Sequence, residues 1–490
     1  MDLYSRPKPL SELLDYTVDD EVSVMEVRSD TVEPLNSGTY NYRFRIEPFG
    51  FLGGESVLLF KLSGDSAGDD LRMNIMSGGL GAIKTARMLV GDTIVQETRD
   101  FQDVSFSDYV VKKDRDSLNR YHSHYWGNAF HSDVCEDATG ALPVAETAGT
   151  GQTVIGSDSG IYFGTPGAGT NRVVRSQAIT QTVANNYQVG IRLDELFPVL
   201  QGQQLPLFLF DEYRIYIDIE FNTSDVYCNS VATGGATVDY IAGATQVVPA
   251  DVKLQMDYLI FPSKVLDDAR EKTAREGGLQ LYYYSTKVIE KTLPAGVAGT
   301  QQDAEFRLGM TDFEVHSLTM LKKLTTAPGG TFDGRNRSLM CGMGSDGMPA
   351  ESYQVEVNGI PMYPFFKVSK ASQHDQVEFA LGDTQKMERG FFYTDDNDIA
   401  SELTPKTSGL QGTYSPLAIS LRSGAPAIWS GGTVIGQYPI NWRYRRTPKA
   451  SSATINDTAG SMDLKFLAKV SSMTKVRSSA EGMLVETVGV

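Results

Sequence analysis

The chain has 490 residues, too many for one ordinary core, so two or three domains are expected. With 41% hydrophobic and 10% aromatic residues it is no disordered tail, and a net charge of −17 argues against nucleic acid as the main partner, because phosphate recognition needs a basic face. Only Cys135, Cys228 and Cys341 are present, far apart and odd in number, which argues against a disulfide framework and for folding in a reducing compartment.

The start of the chain is acidic: residues 1–33 hold nine acidic and three basic side chains, whereas residues 441–490 hold eight basic and four acidic. Ordinary fluctuation accounts for that difference, but it also suits termini that meet different surfaces, or each other in an oligomer. Met1-Asp-Leu-Tyr-Ser-Arg-Pro-Lys-Pro9 lacks the apolar stretch of a signal peptide, so none is expected. No apolar run approaches the roughly 20 residues of a membrane-spanning helix. The sequons at Asn222, Asn336 and Asn456 are then expected to be chance matches.

Ser11 can cap a short helix within residues 10–25, with Leu13 and Leu14 as its apolar contacts, and an extended arm follows. Tyr40-Asn-Tyr-Arg-Phe-Arg-Ile-Glu47 alternates as a half-buried strand does. Ser56-Val-Leu-Leu-Phe-Lys-Leu62 is more uniformly apolar and predicts a strand covered on both faces. Residues 86–97 read as a hairpin in which Gly91-Asp92 supplies the positive φ angles. Residues 132–175 and 222–249, rich in small polar residues and without period, read as long surface loops.

The strongest single signal is Glu212-Tyr-Arg-Ile-Tyr-Ile-Asp-Ile-Glu-Phe221. Tyr213, Ile215, Ile217, Ile219 and Phe221 share one side of an extended chain, and burying them contributes roughly 10 kcal/mol at most. After a strand over residues 253–261, Ser263 is placed to cap a helix running to about Glu276, supported by the pairs Asp268–Lys272 and Glu271–Arg275 and stopped by Gly277 and Gly278. Its apolar face (Val265, Leu266, Ala269) is narrow, which suits a surface connector between two β units. The β pattern restarts at 279–289 and 305–323. It continues at 353–363, a hairpin turned by Asn358-Gly359, and at 462–470. Further long loops occupy 324–351 and 383–415. The fold class read from this pattern is all-β, in tandem units.

Chemistry-bearing motifs are weak. His122, His124, His131 and Cys135 have metal-ligand types, yet Tyr121, Tyr125 and Trp126 around them suggest aromatic packing. Asp395, Asp396, Asn397 and Asp398 fail calcium-loop spacing, because Ile399 stands where a ligand is required; Asp65, Asp69 and Asp70 read as solvated. Gly78-Gly-Leu-Gly81-Ala-Ile-Lys84 lacks the spacing of a phosphate loop and reads as backbone turning near packed strands. No catalytic, cofactor-binding or metal residue is assigned.

Several segments together resemble one family. Asn74-Ile-Met-Ser-Gly-Gly-Leu-Gly-Ala-Ile-Lys84, leading into Ala86-Arg-Met-Leu-Val-Gly-Asp-Thr-Ile94, is similar to the segment after the first strands of double jelly-roll major capsid proteins of the hexon-like lineage. The pattern is closest to those of virophages and polinton-like viruses. Ile191-Arg-Leu-Asp-Glu-Leu-Phe-Pro198, Leu205-Pro-Leu207 and Ile215–Phe221 resemble the close of their first jelly roll. Residues 253–289 resemble their inter-domain junction, and 353–363 a hairpin of their second jelly roll. The Pro-Ser-Gly…Asn-Phe-Ser-Arg run of many giant-virus relatives is missing; Trp442-Arg-Tyr-Arg-Arg446 and a Ser/Thr/Ala stretch stand there instead.

The resemblance implies two tandem eight-stranded jelly rolls, a double jelly roll with long loops and a short connecting helix. It divides the chain into an N-terminal arm (1–30), a first jelly roll (31–262) and a second (263–490). It implies homotrimers with a pseudo-hexagonal footprint, tiling an icosahedral shell around double-stranded DNA, often around an internal membrane. Partners would be neighbouring capsomers and minor capsid and vertex (penton) proteins, with no sequence-specific nucleic-acid contact. The protein would fold and assemble inside the host cell and reside in the virion, with no enzyme activity and no cofactor. The four long loops would form outward towers at one end. The rival reading is a tandem β-sandwich that binds glycans by stacking sugars on loop Tyr and Trp, and an enzyme on a jelly-roll scaffold comes third.

Overall fold

In the computed structural model the described residues are 26–53, 55–64, 70–73, 78–105, 125, 128–130, 174–176, 178–179, 188–201, 204–210, 213–223, 228–231, 238–239, 247–275, 278–311, 313–324, 351–362, 376, 380, 417–421, 433–434, 439–447, 461–479 and 482–489. The helix expected near Ser11 lies outside them.

Eight strands build a first unit: β1 (Glu26–Val32), β2 (Asn41–Ile46), β3 (Val57–Gly64), β4 (Ile83–Val90), β5 (Thr93–Arg99), β6 (Gln188–Arg192), β7 (Ile215–Phe221) and β8 (Val247–Ile260). They pair antiparallel in two sheets, ordered β1-β8-β3-β6 and β2-β7-β4-β5. The helix α1 (Ser263–Arg275) follows. Eight more strands repeat the plan: β9 (Leu279–Leu293), β10 (Gln302–Leu308), β11 (Glu314–Leu324), β12 (Glu351–Val357), β13 (Ile360–Pro361), β14 (Leu417–Ser420), β15 (Ile440–Arg446) and β16 (Met462–Ser479). Their sheets are β9-β16-β11-β14 and β10-β15-β12-β13, the same order with eight added to each number. That order is the jelly roll, in which strands wound as a double ribbon close into two facing sheets. A last strand, β17 (Gly482–Gly489), folds back on the far half of β16.

Alternation places the cores. On β2, Tyr42, Phe44 and Ile46 point inward, and on β7 Ile215, Ile217, Ile219 and Phe221 do; Phe221 meets Phe60 of the facing sheet at 5.0 Å and Tyr42 of its own sheet at 5.4 Å, both T-shaped. In the second unit Trp442 stacks on Tyr353 at 5.0 Å and takes Phe466 on its edge at 5.4 Å. Both cores are thus apolar, without covalent staples among the described residues.

Several local expectations change. The strand expected from 212 begins at Ile215, because the Tyr213 amide bonds to the Phe210 carbonyl and turns the chain there. The strand expected to be covered on both faces, β3, alternates buried with half-buried positions, so its outer side is only partly covered. In the β4–β5 hairpin Gly91 alone has a positive φ (60°), whereas in β12–β13 both turn residues do: Asn358 52° and Gly359 77°. Helix α1 opens with amides of Val265 and Leu266 on the Pro262 carbonyl, so Ser263 lies inside the first turn rather than ahead of it. The Glu271–Arg275 pair forms, and Gly278 (φ 112°) ends the helix with its amide on the Thr273 carbonyl. The stretch 222–249, read as a loop, contains the strands Cys228–Val231 and Val238–Asp239, which join two short strands from elsewhere. Asp70–Met73, Ala178–Ile179, Cys228–Val231 and Val238–Asp239 make a small four-stranded sheet of their own.

Candidate functional site: the crowned end and the junction of the barrels

A jelly roll has two ends, and these two differ. Neighbouring strands are antiparallel and the first links are short, so odd strands run one way and even strands the other. Every connection that leaves an odd strand therefore emerges at one end of its barrel. In the first barrel these are residues 33–40, 65–82, 100–187 and 222–246; at the opposite end lie 47–56, 91–92 and 193–214. In the second they are 294–301, 325–350, 362–416 and 447–461, against 309–313, 358–359 and 421–439. Each of the four long loops found in the sequence starts from the odd end of its barrel. The small sheet of Asp70–Met73, Ala178–Ile179, Cys228–Val231 and Val238–Asp239 is assembled wholly from three connections at that end of the first barrel. The two longest connections of each barrel thus leave from its odd end, called the crowned end below, and the opposite end is called the plain end.

The plain ends also carry two longer connections, 193–214 and 421–439, and the first of them is not a crown but a plug. Leu193, Leu196, Phe197, Val199, Leu200, Leu205, Leu207, Phe208 and Phe210 are all buried. Side chains of β5 fasten it: Gln96 accepts the Val199 amide at 2.9 Å and Thr98 donates to the Leu196 carbonyl at 2.8 Å. Arg270 of α1 reaches the Phe208 carbonyl at 3.1 Å and lies over its ring. Leu279, Leu281, Tyr283, Leu321, Ala418 and Leu467 of the second barrel join the same apolar cluster, so one core runs across the junction.

Within that junction sits an ionic cluster. Lys465 Nζ contacts Asp103 Oδ2 at 2.8 Å, Asp100 Oδ1 at 3.2 Å and Glu290 Oε1 at 3.0 Å, with the Lys465 side chain 10% exposed and that of Asp103 2%. Burial alone lowers the lysine pKa, but Coulombic attraction to Asp103 and the hydrogen bond that the ammonium donates to it, with Asp100 and Glu290, outweigh it and hold the ammonium above its ordinary range.

The outer faces of the β2-β7-β4-β5 and β10-β15-β12-β13 sheets are laced by ion pairs across strands. Arg43 is bidentate to Asp218 at 2.7 and 2.6 Å, Lys84 meets Glu220 at 2.7 Å, and Glu97 takes Arg87 and Arg99. Burial disfavours the Glu97 charge, yet the two arginines keep its carboxyl below the usual range. The second barrel repeats the device with Arg445–Asp303 at 2.7 Å and Arg443–Glu356 at 2.9 Å. The polar side of β7 thus has partners in its own sheet.

The chemically suggestive motifs resolve as follows. Gly78–Ala82 is a turn of 3-10 helix, and a side chain at Gly79 would stand 2.3 Å from Val189, so the glycine serves close packing, with Lys84 committed to Glu220. Asn222 is buried, and its amide nitrogen donates to the Gly81 and Ile83 carbonyls and to Gln102, which leaves that sequon no reach for a glycan. His122, His124, His131, Cys135, Asp65, Asp69 and Asp395, Asp396 and Asp398 lie outside the described residues; among the described ones no three His, Cys, Asp or Glu side chains could hold a metal ion. No helix among them is long and apolar enough to cross a membrane. A side chain the sequence reading passed over is His316, buried beneath Tyr284 and 2.7 Å from Ser471 Oγ.

No family model matches the sequence, and no curated protein does. Solved structures do. The crystal structure of PBCV-1 VP54 fitted into a cryo-EM reconstruction of the virophage Sputnik is similar over 94% of this chain and 96% of that one, with 10% identity and a TM-score of 0.52. A chain of the quasi-atomic model of the PBCV-1 virus capsid matches over 94% and 96%, with 10% identity and a TM-score of 0.51. The mavirus major capsid protein matches over 94% and 90%, with 11% identity and a TM-score of 0.46. The fold is therefore the double jelly roll, the architecture seen in the PBCV-1 capsid, as the sequence resemblance implied.

Proposed function

We propose that this chain is a major capsid protein of a double-stranded DNA virus, which forms pseudo-hexagonal homotrimers that tile an icosahedral shell. The observation that carries the reading is one chain folded into two jelly rolls of identical strand order, the two longest connections of each leaving its odd end. Three such chains present six similar barrels around one axis, so a trimer fills a hexagonal footprint. The crowns face outward and the plain ends inward. The ion-paired sheet faces and the plug make each protomer one rigid block, which suits a part that functions by packing. The same proposal divides the chain into an arm (1–30) and units meeting near residue 262, and it assigns the chain no enzyme activity and a place in the virion.

The test is the mass of the purified full chain by light scattering, with electron microscopy of the same sample. A particle of about three times 53.6 kDa with a hexagonal outline is expected. A stable monomer overturns the proposal, and a monomer that also binds on a glycan array supports the rival sandwich lectin.

A further inference from the structure

Lys465 stands on the outer face of β16, next to Leu467 and across the sheet from Leu321 and Ala418, all buried against the first barrel. A lysine in such a place is held there by its partners, because an ammonium shut away from water is costly unless carboxylates meet it. Two of its three partners belong to the other barrel. Asp100 and Asp103 form the root of the first barrel's longest connection, 100–187, where a short helix (Phe101–Ser105) starts. Asp100 has φ 50°, a conformation non-glycine residues rarely keep without help, and its carbonyl accepts the amides of Asp103 at 2.9 Å and Val104 at 3.1 Å. The third partner, Glu290, is in Lys465's own sheet and is 65% exposed. Moving the root would leave Lys465 with that wet carboxylate alone.

We propose that Lys465 is a positioning residue, an ionic pin by which the second barrel holds the root of the first barrel's crown and keeps the two barrels in one arrangement. The pin works in both directions: what loosens the root loosens the junction, since both draw on the same contacts.

The test is hydrogen exchange on the full-length chain, read at the amides of Asp103 and Val104 and at those of Leu200 and Gln201 in the plug. Lys465→Met combined with Asp103→Asn removes the charges as a pair, so no buried charge is left alone. Exchange at all four amides should be at least tenfold faster than in the unaltered chain. The exposed pair on β4 and β7, removed as Lys84→Met with Glu220→Gln, should leave them unchanged. Unaltered rates in the first variant overturn the proposal, as does equal acceleration in the second. If the double variant does not fold, Lys465→Arg decides. It keeps the charge and should keep protection within about threefold; tenfold loss there overturns the idea. These rates are read on the isolated chain, so they stand whether or not the chain builds a shell.

Discussion

Trp442 is the largest side chain without solvent contact among the described residues, stacked on Tyr353 and flanked by Phe466. Trp442→Ala should destabilise the second barrel by about 3–5 kcal/mol, the usual cost of deleting a buried aromatic, measured by denaturant unfolding. A loss under about 1 kcal/mol would mean the barrel does not rest on that stack. Lys465 gives a pH prediction. Its folded pKa lies above the ordinary value of 10.5, so its pairing contributes fully at every pH below that value and is lost only as pH rises through the higher folded pKa. The stability gap between the unaltered chain and Lys465→Met should therefore be flat from pH 7 to about 10 and shrink only in stronger alkali. A gap that closes between pH 7 and 9 would contradict the pairing. Neither role was equally legible. Trp442 announces itself as apolar, but Met462-Asp-Leu-Lys-Phe alternates so regularly that Lys465 reads as water-facing; the first barrel that covers it is a tertiary fact with no local signature.

Strands and hairpins were legible because period two and turn chemistry are local. Asn358-Gly359 is read directly from its dipeptide and has the two positive φ angles such a turn needs. Gly91-Asp92 shows the limit, since only the glycine takes the left-handed form. The small sheet at the crowned end was not legible: its strands are two to four residues long, too short to show a period, and they pair across long sequence gaps. Glycines divide by the same logic. Gly359 has open space around it, so Gly359→Ala should cost about 1–2 kcal/mol through backbone conformation alone. Gly79 faces Val189 at 2.3 Å, so Gly79→Ala should cost about 1–3 kcal/mol through overpacking. Adding Val189→Ala should return part of the second loss and none of the first, as thermal melts of the single and double variants would show. Recovery in neither background would remove close packing as the reason for Gly79.

At the scale of the molecule, the two ends of the barrels should answer differently to a protease. The plug at 193–214 belongs to the plain end, yet it is as long as some crown connections; length alone gives it similar susceptibility. Its backbone is tied by Gln96 and Thr98, and its side chains are buried in a core shared by both barrels. Cleavage needs a segment to open locally, and opening the plug breaks into the core that both barrels share. Helix α1 lies between, with an exposed face but with Val265, Ala269 and Thr273 buried and Arg270 on the plug. Limited proteolysis of the native protein should therefore cut first within 106–173, 325–350 or 381–416, later in α1, and last in 193–214. Mass spectrometry of the first fragments decides the order. Early cuts in α1 or the plug would mean that the junction opens before the crowns do, and the picture of one rigid block with a working outer end would fall with it.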